Sequence, residues 1–396
     1  MKKIYKLILF ALIIGSFSNL SAQVTGVKNI PTDFPTLEAA ITALNTNGVG
    51  AGGAIINIPA GYTETPTAAL VLTLATNPSS ATRPLVFQKS GAGANPLITA
   101  FVGTTLNLDG LFVLNGADYV TINGIDLQES AANTTPTQQM EFGYALLKTS
   151  VTNGCQFNTI KNCVVTLNKA NTASVGVYSA NHTVTTLAVL TITNFAGTNS
   201  YNKFYNNTVQ NSYLGYAVTG FVSIAPFDLY DQANEIGVDG VSANLSQVLN
   251  FGGSSILTSG IFASNQNAVK IFNTNISIGN STTTNDVYGI LLTGGTNSNV
   301  DVYNNTITVS SGGTINLLSG ISNVSGATGS GNKVNIYNNT VTNCTYTTAT
   351  SGEFRGISST ATASYTNMYG ITISNTILPG TEIGRASCRE RVLNLV

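Results

Sequence analysis

The sequence predicts an all-β solenoid, and three observations carry that prediction. An apolar-polar-apolar run ending in a tyrosine and an asparagine pair recurs as NKFYNNT from Asn202, NVDVYNNT from Asn299 and NKVNIYNNT from Asn332. Aligned on the aromatic position, Tyr205, Phe272, Tyr303 and Tyr337 follow at intervals of 67, 31 and 34 residues, the first close to two repeats. A second signal interleaves with it: glycine before isoleucine at Gly260, Gly289, Gly320 and Gly356, spaced 29, 31 and 36. Within each copy apolar and polar residues alternate with period two, as in Val334, Asn335, Ile336 and Tyr337, which is the pattern of a strand. Repeats of this length stack one supersecondary unit on the next, and Asn, Gly or Ser at each strand end makes the chain turn several times per unit.

Residues 1–22 read as a secretory signal peptide. Lys2, Lys3 and Lys6 precede a short apolar run from Leu7 to Phe17, and small residues follow at Ser21 and Ala22. The run is too short for a bilayer, and no later segment has the roughly 20 continuous apolar residues that spanning needs. The expected product is an exported chain without a membrane span, starting near Gln23, secreted or held on the outer-membrane surface.

Residues 23–94 read as an N-terminal cap and first strands. In DFPTLEAAITALN, Leu37, Ile41 and Leu44 share one helical face, Pro35 falls in the first turn, and Asp33 or Thr36 serves as cap. An amphipathic helix followed by GGAIINIPAGYTET resembles the opening module of pectin methylesterases and related β-helices. Its physical task is to cover the first coil, whose core and strand edges would otherwise be open.

Residues 95–379 read as the coils. The alternation of VxIYNNT with a Gly-Ile strand, from about Asn95 to Leu378, resembles the right-handed single-stranded parallel β-helix of pectate-lyase-like proteins. The resemblance implies that Asn162-Cys163, Asn206-Asn207, Asn304-Asn305 and Asn338-Asn339 occupy equivalent corners, with Cys163 in place of an asparagine. Asparagine suits such a corner because it tolerates the left-handed region, and stacked amides at roughly 4.8 Å can form a ladder. Cys155 and Cys163 lie eight apart and could oxidise in an exported chain. The corner position instead favours Cys163 as buried and free.

Residues 380–396 are foreign to the rest. Glu382, Arg385, Arg389, Glu390 and Arg391 crowd into the tail of a chain that is only 8% charged. The run EIGRASCRERV resembles a translated sequencing adaptor, which implies that the natural protein continues past about Pro379. The whole resembles secreted surface β-helix proteins of Bacteroidota, which often end in a type IX secretion sorting domain.

Composition narrows function. Setting aside the three leading lysines, the three tail arginines and the two tail glutamates leaves ten basic residues against fifteen acidic ones. Nucleic acid is therefore not an expected partner, since phosphate binding needs clustered basic residues. A single histidine, His182, would have to serve any histidine-based zinc or triad chemistry, and its surroundings read as a surface loop. The pectin methylesterase motifs, and any tryptophan, are absent.

No catalytic residue stands out, and the one cofactor considered is Ca²⁺. The densest acidic stretch holds Asp228, Asp231, Glu235 and Asp239, at a spacing that reads more as one face of a short helix than as a calcium loop. The repeat alignment puts Lys203, Lys270, Asp301 and Asn335 in one outward column, with Lys270 and Asp301 as an ion pair worth about 0–1 kcal/mol. Alternation also sends Tyr205, Phe272, Tyr303 and Tyr337 outward. Two readings of that column stand: a platform on which sugar rings stack, or rings that only cover one another. The expected function is a secreted or cell-surface scaffold, adhesive or glycan-binding, with a polysaccharide lyase or hydrolase as the alternative.

Overall fold

The computed structural model describes residues 22–105, 107–240, 245–253, 257–281, 285–326 and 331–378. The expected signal peptide up to Ser21, and the tail from Pro379 onward, lie outside the described residues. The chain winds into stacked coils, each laying one strand on each of three parallel sheets of eleven, ten and nine strands. One full turn runs from Val300–Tyr303 on the first face to Thr306–Ser311 on the second and Leu317–Asn323 on the third. It then returns to the first face at Lys333–Tyr337, paired in register with Val300–Tyr303. This is the expected parallel β-helix, with the right-handed sense that parallel crossovers adopt.

The core fills the space between the three faces. Ile236, Ile271, Val302 and Ile336 point in from the first face, Val209, Val248, Ile276, Ile307 and Val341 from the second, and Ile261, Ile290 and Ile321 from the third, all in one buried cluster. Each such side chain contributes about 1.5–3 kcal/mol when fully buried. Repetition of one modest unit therefore builds a large core from short strands.

The N-terminal helix, Leu37–Asn47, buries Leu37, Ala40, Ile41 and Leu44 against the first coils. Thr36 is the cap, its hydroxyl accepting from the Ala39 N–H at 3.0 Å. Pro35 therefore precedes the cap and is not in the first turn, and Asp33 accepts the Asn29 N–H instead, at 2.7 Å. The PAGYTE turn has a direct physical role. The Glu64 carboxylate accepts from the Leu37 and Glu38 N–H groups at 2.8 and 3.0 Å, and Tyr62 donates to it at 2.6 Å. A carboxylate thus meets two of the donors a helix start leaves unpaired.

The two asparagines of each pair divide the work. Asn162, Asn206, Asn304 and Asn338 hold the left-handed φ values of 53–58° that turn the corner. Asn207, Asn305 and Asn339 are buried, and each donates its amide to a carbonyl of the preceding coil. Asn305 donates to the Ile271 carbonyl at 2.9 Å and to Asn339 Oδ1 at 3.0 Å, and its own Oδ1 accepts the Thr274 N–H at 3.0 Å. Cys163 fills the Asn207-type position, its N–H donating to Asn207 Oδ1 at 3.0 Å. Cys155, Cys163 and Cys344 are buried and free, so no bridge joins the first two. Burial pushes the thiols of Cys155 and Cys163 up to about 12 and about 11.

Candidate functional site

The outward side of the first face carries two columns fixed by strand register. One runs Lys203, Glu235, Lys270, Asp301, Asn335, Asn367, and the other Tyr205, Gly237, Phe272, Tyr303, Tyr337, Tyr369. Phe272 stacks on Tyr303 at 5.1 Å and 9°, Tyr303 on Tyr337 at 4.9 Å and 3°, and Tyr337 on Tyr369 at 5.1 Å and 11°. These spacings match the strand repeat, so the rings cover one another's faces and turn their edges outward. No sugar ring fits between them. Only Tyr369, 56% exposed, is a ring of this column open to solvent over much of its surface.

Tyr205 departs from the column. It is buried at 7% exposure, meets Phe272 edge-on at 71°, and its hydroxyl donates to Glu235. Gly237 explains the tilt, because the Phe272 ring lies over the space where a side chain on that coil would stand. The coil Glu235–Gly237 is the repeat that the 67-residue interval skips. It also corrects the expected ion pair: Lys270 bonds Glu235 at 2.9 Å, not Asp301, which accepts from Asn335 at 2.7 Å. Burial alone would raise the Glu235 carboxyl, but the Tyr205 and Lys270 donors hold it below the usual range.

The acidic stretch forms two short strands, Asp231–Gln232 and Glu235–Gly237, and no helical face. Its carboxylates diverge. Asp228 is exposed, Asp231 is fully buried 4.0 Å from Lys148, Glu235 faces outward to Lys270, and Asp239 bonds Lys161 at 2.8 Å. Among the described residues no three His, Cys, Asp or Glu side chains gather into a group that could hold a metal ion. His182 is not on the surface. It is 4% exposed, with Nε2 3.0 Å from the Tyr178 hydroxyl and Nδ1 2.7 Å from the Thr183 carbonyl.

Two features escaped sequence reasoning. Tyr119, Phe157 and Tyr201 form a second stack, with centroids 4.7 Å apart at each step and all three residues in the left-handed region. They lie outside the YNNT pattern and carry no shared motif. The other feature is a polar cluster on the outward side of the third face. Tyr288, Ser319 and Arg355 share one register column there. The Tyr288 hydroxyl donates to Asp286 at 3.0 Å, and Arg355 grips Glu353 with two bonds of 2.7 Å. Ser319 Oγ, between them, is buried without a hydrogen-bond partner. Arg355 holds the Glu353 carboxyl below its usual range. The cluster joins three coils, so Tyr288, Ser319 and Arg355 follow at intervals of 31 and 36 residues and form no local motif.

No protein-family model matches the chain, and no curated protein matches it. Among solved structures, an alginate lyase from Paenibacillus sp. is similar over 89% of this chain and 99% of its own, at 11% identity and a TM-score of 0.43. The catalytic domain of a GH87 α-1,3-glucanase is similar over 91% of this chain and 66% of its own, at 12% identity and a TM-score of 0.37. The A-module of a mannuronan C-5 epimerase from Azotobacter vinelandii covers 91% and 97%, at 15% identity and a TM-score of 0.31. At these values no residue of this chain acquires a role from them. Among the described residues no helix is long and apolar enough to cross a membrane.

Proposed function

We propose that the chain is a secreted or cell-surface scaffold that binds a polysaccharide or cell-surface glycan lengthwise along the first face, with no reaction performed there. The observation that supports this reading is the pair of adjacent outward columns in a single register. Ring edges of Tyr303, Tyr337 and Tyr369 run beside an amide row in which Asn335 donates to Asp301 and Asn367 to Asn335, each at 2.7 Å. Phenol hydroxyls and amides at one constant repeat offer hydrogen bonds to successive sugar hydroxyls. The contact is edge-on, because ring faces are already taken. This reading invokes no cofactor and no nucleic acid, and its export rests on the lysine-led apolar segment at the N-terminus.

The test is retention on a panel of insoluble polysaccharides, comparing the parent with the double variant Asn335→Ala, Asn367→Ala. The parent is expected to be retained and the variant released at an unchanged melting temperature. A parent that passes unretained through every matrix, or a variant retained equally well, overturns the proposal.

The polar cluster of Asp286, Tyr288, Glu353 and Arg355 supports a second reading, a polysaccharide lyase or hydrolase acting on the third face. An arginine, a phenol and two carboxylates on the two coils that flank the Ser319 coil are groups that can bind an acidic sugar and move protons. Incubation with acidic polysaccharides and Ca²⁺, read by the absorbance of unsaturated uronides or by reducing ends, separates the readings. Turnover by the parent that is lost in Arg355→Ala would establish the enzyme.

A further inference from the structure

Lys148 and Asp231 form the most deeply buried pair of opposite charge in the described chain, each side chain 0% exposed. Lys148 follows the third-face strand Phe142–Leu147, and Asp231 opens the short strand that pairs with Gln266–Asn267. Their nearest polar atoms, Nζ and Oδ1, are 4.0 Å apart, too far for a hydrogen bond. Nζ instead donates to the Gly197 carbonyl at 2.7 Å. Oδ1 accepts the Asn199 N–H at 2.8 Å, and Oδ2 has only a long contact of 3.4 Å from the Gln266 amide.

A buried ion pair repays its desolvation only when the geometry is close and fully hydrogen-bonded. This pair is neither. Desolvation lowers the Lys148 ammonium and raises the Asp231 carboxyl, so both are pushed toward their neutral forms. A neutral amine is a nucleophile and a neutral carboxyl an electrophile, and here they face each other in a site closed to bulk water. A flexible four-carbon stem lets Nζ cover the remaining distance.

We propose that Lys148 and Asp231 condense into an intramolecular amide crosslink between Nζ and Cγ. The Nζ lone pair attacks Cγ, and the Asn199 N–H, already on Oδ1, steadies the negative charge that gathers there. A C–N bond forms and the bond from Cγ to Oδ2 breaks. The proton given up by nitrogen joins the departing hydroxyl, which leaves as water. The Gly197 carbonyl keeps the remaining Nζ hydrogen, as it holds one now. The step needs no oxidant, metal or cofactor. The crosslink would fasten a third-face coil to the short strand at Asp231, closing the chain between Lys148 and Asp231, which lays two strands on each of the three faces, into a covalent loop.

Protease digestion of the full-length protein under denaturing, reducing conditions, followed by mass spectrometry, tests this directly. The expected result is a branched peptide joining the segments that carry Lys148 and Asp231, lighter than the two linear peptides by one water. Lys148→Met and Asp231→Ala should each yield only linear peptides. Parent protein whose Lys148 and Asp231 peptides are recovered linear overturns the proposal, and that result does not depend on either variant folding. A water deficit persisting in both variants would overturn it equally.

Discussion

Tyr303 and Tyr337 lie with ring centroids 4.9 Å apart and planes 3° from parallel, so each ring closes off one face of the other. Tyr303 is also covered from the opposite side by Phe272, whereas Tyr369 has, among the described residues, one stacked neighbour. Position in the stack should therefore decide what each ring contributes.

Tyr303→Ala should cost roughly 2 kcal/mol, about half the loss for a fully buried ring, because both ring faces lose their contacts. Tyr369→Ala should cost less than about 1 kcal/mol, since its solvent-facing side loses little on truncation. Denaturant melts of the two variants decide it. Equal losses would show that the stack adds nothing beyond each ring's own burial.

The amide ladder should be far less tolerant. Asn305→Leu keeps the volume but removes the donor to the Ile271 carbonyl and the acceptor of the Thr274 N–H, both within the core. Buried polar groups left unpaired cost about 1–3 kcal/mol each, so a loss of about 3–5 kcal/mol is expected. Asn304→Gly, at the exposed left-handed corner, should stay within about 1 kcal/mol of the parent, because glycine adopts that backbone freely. The contrast between neighbouring asparagines is measurable by thermal melts, and similar losses would contradict the division of labour between them.

How much was legible beforehand follows from the same residues. The YNNT copies announced the coil, the corner and the stack, because each coil must repeat the same inward and outward choices. The coil Glu235–Gly237 stayed hidden, since glycine stands where an aromatic residue was sought, and Lys270 was consequently given the wrong partner. On the third face, Phe142–Leu147 and Val287–Thr293 are buried on nearly every residue, so alternation, the main strand signal, is erased. The burial of His182 was illegible because it depends on Tyr178 and on a loop that folds back over the third face. The cluster around Ser319 is assembled across coils, and a one-dimensional reading has no spacing by which to find it.

The glycines preceding isoleucine mark a constraint as sharp as the asparagines. A Cβ at Gly289 would stand 2.4 Å from Ile307 Cγ2 and 2.6 Å from the Gly320 carbonyl oxygen, and the backbone atom cannot move aside. Gly289→Ala should therefore destabilise by about 3 kcal/mol through overpacking. Gly240, with φ of +67° and nothing within 4 Å, sets the comparison: Gly240→Ala bears only backbone strain, about 1 kcal/mol. Comparable melting temperatures for the two variants would contradict close packing of the third face onto the second.

Asp118 predicts a pH dependence with a defined sign. Burial raises its carboxyl from 3.8 to about 6, against the lowering effect of the Gln156 N–H, which donates to it at 2.6 Å. The folded state then holds this proton more tightly than the unfolded chain does. The resulting stabilisation is fully present below the unfolded value and is lost as pH rises from 3.8 to about 6. His182 acts in the opposite direction. Burial lowers its imidazole below 6.5, so its contribution is present above that value and is lost as pH falls. A melting curve of the parent alone would mix the two. Asp118→Asn removes the first titration, keeps a side-chain acceptor for Gln156, and leaves His182 untouched, so the difference in melting temperature between parent and variant isolates Asp118. That difference should favour the parent more at about pH 4 than at about pH 7, with the change falling across the window between 3.8 and about 6. A difference constant over this range would mean that the folded chain binds the Asp118 proton no more tightly than the unfolded chain does, and that its burial does not hold the proton.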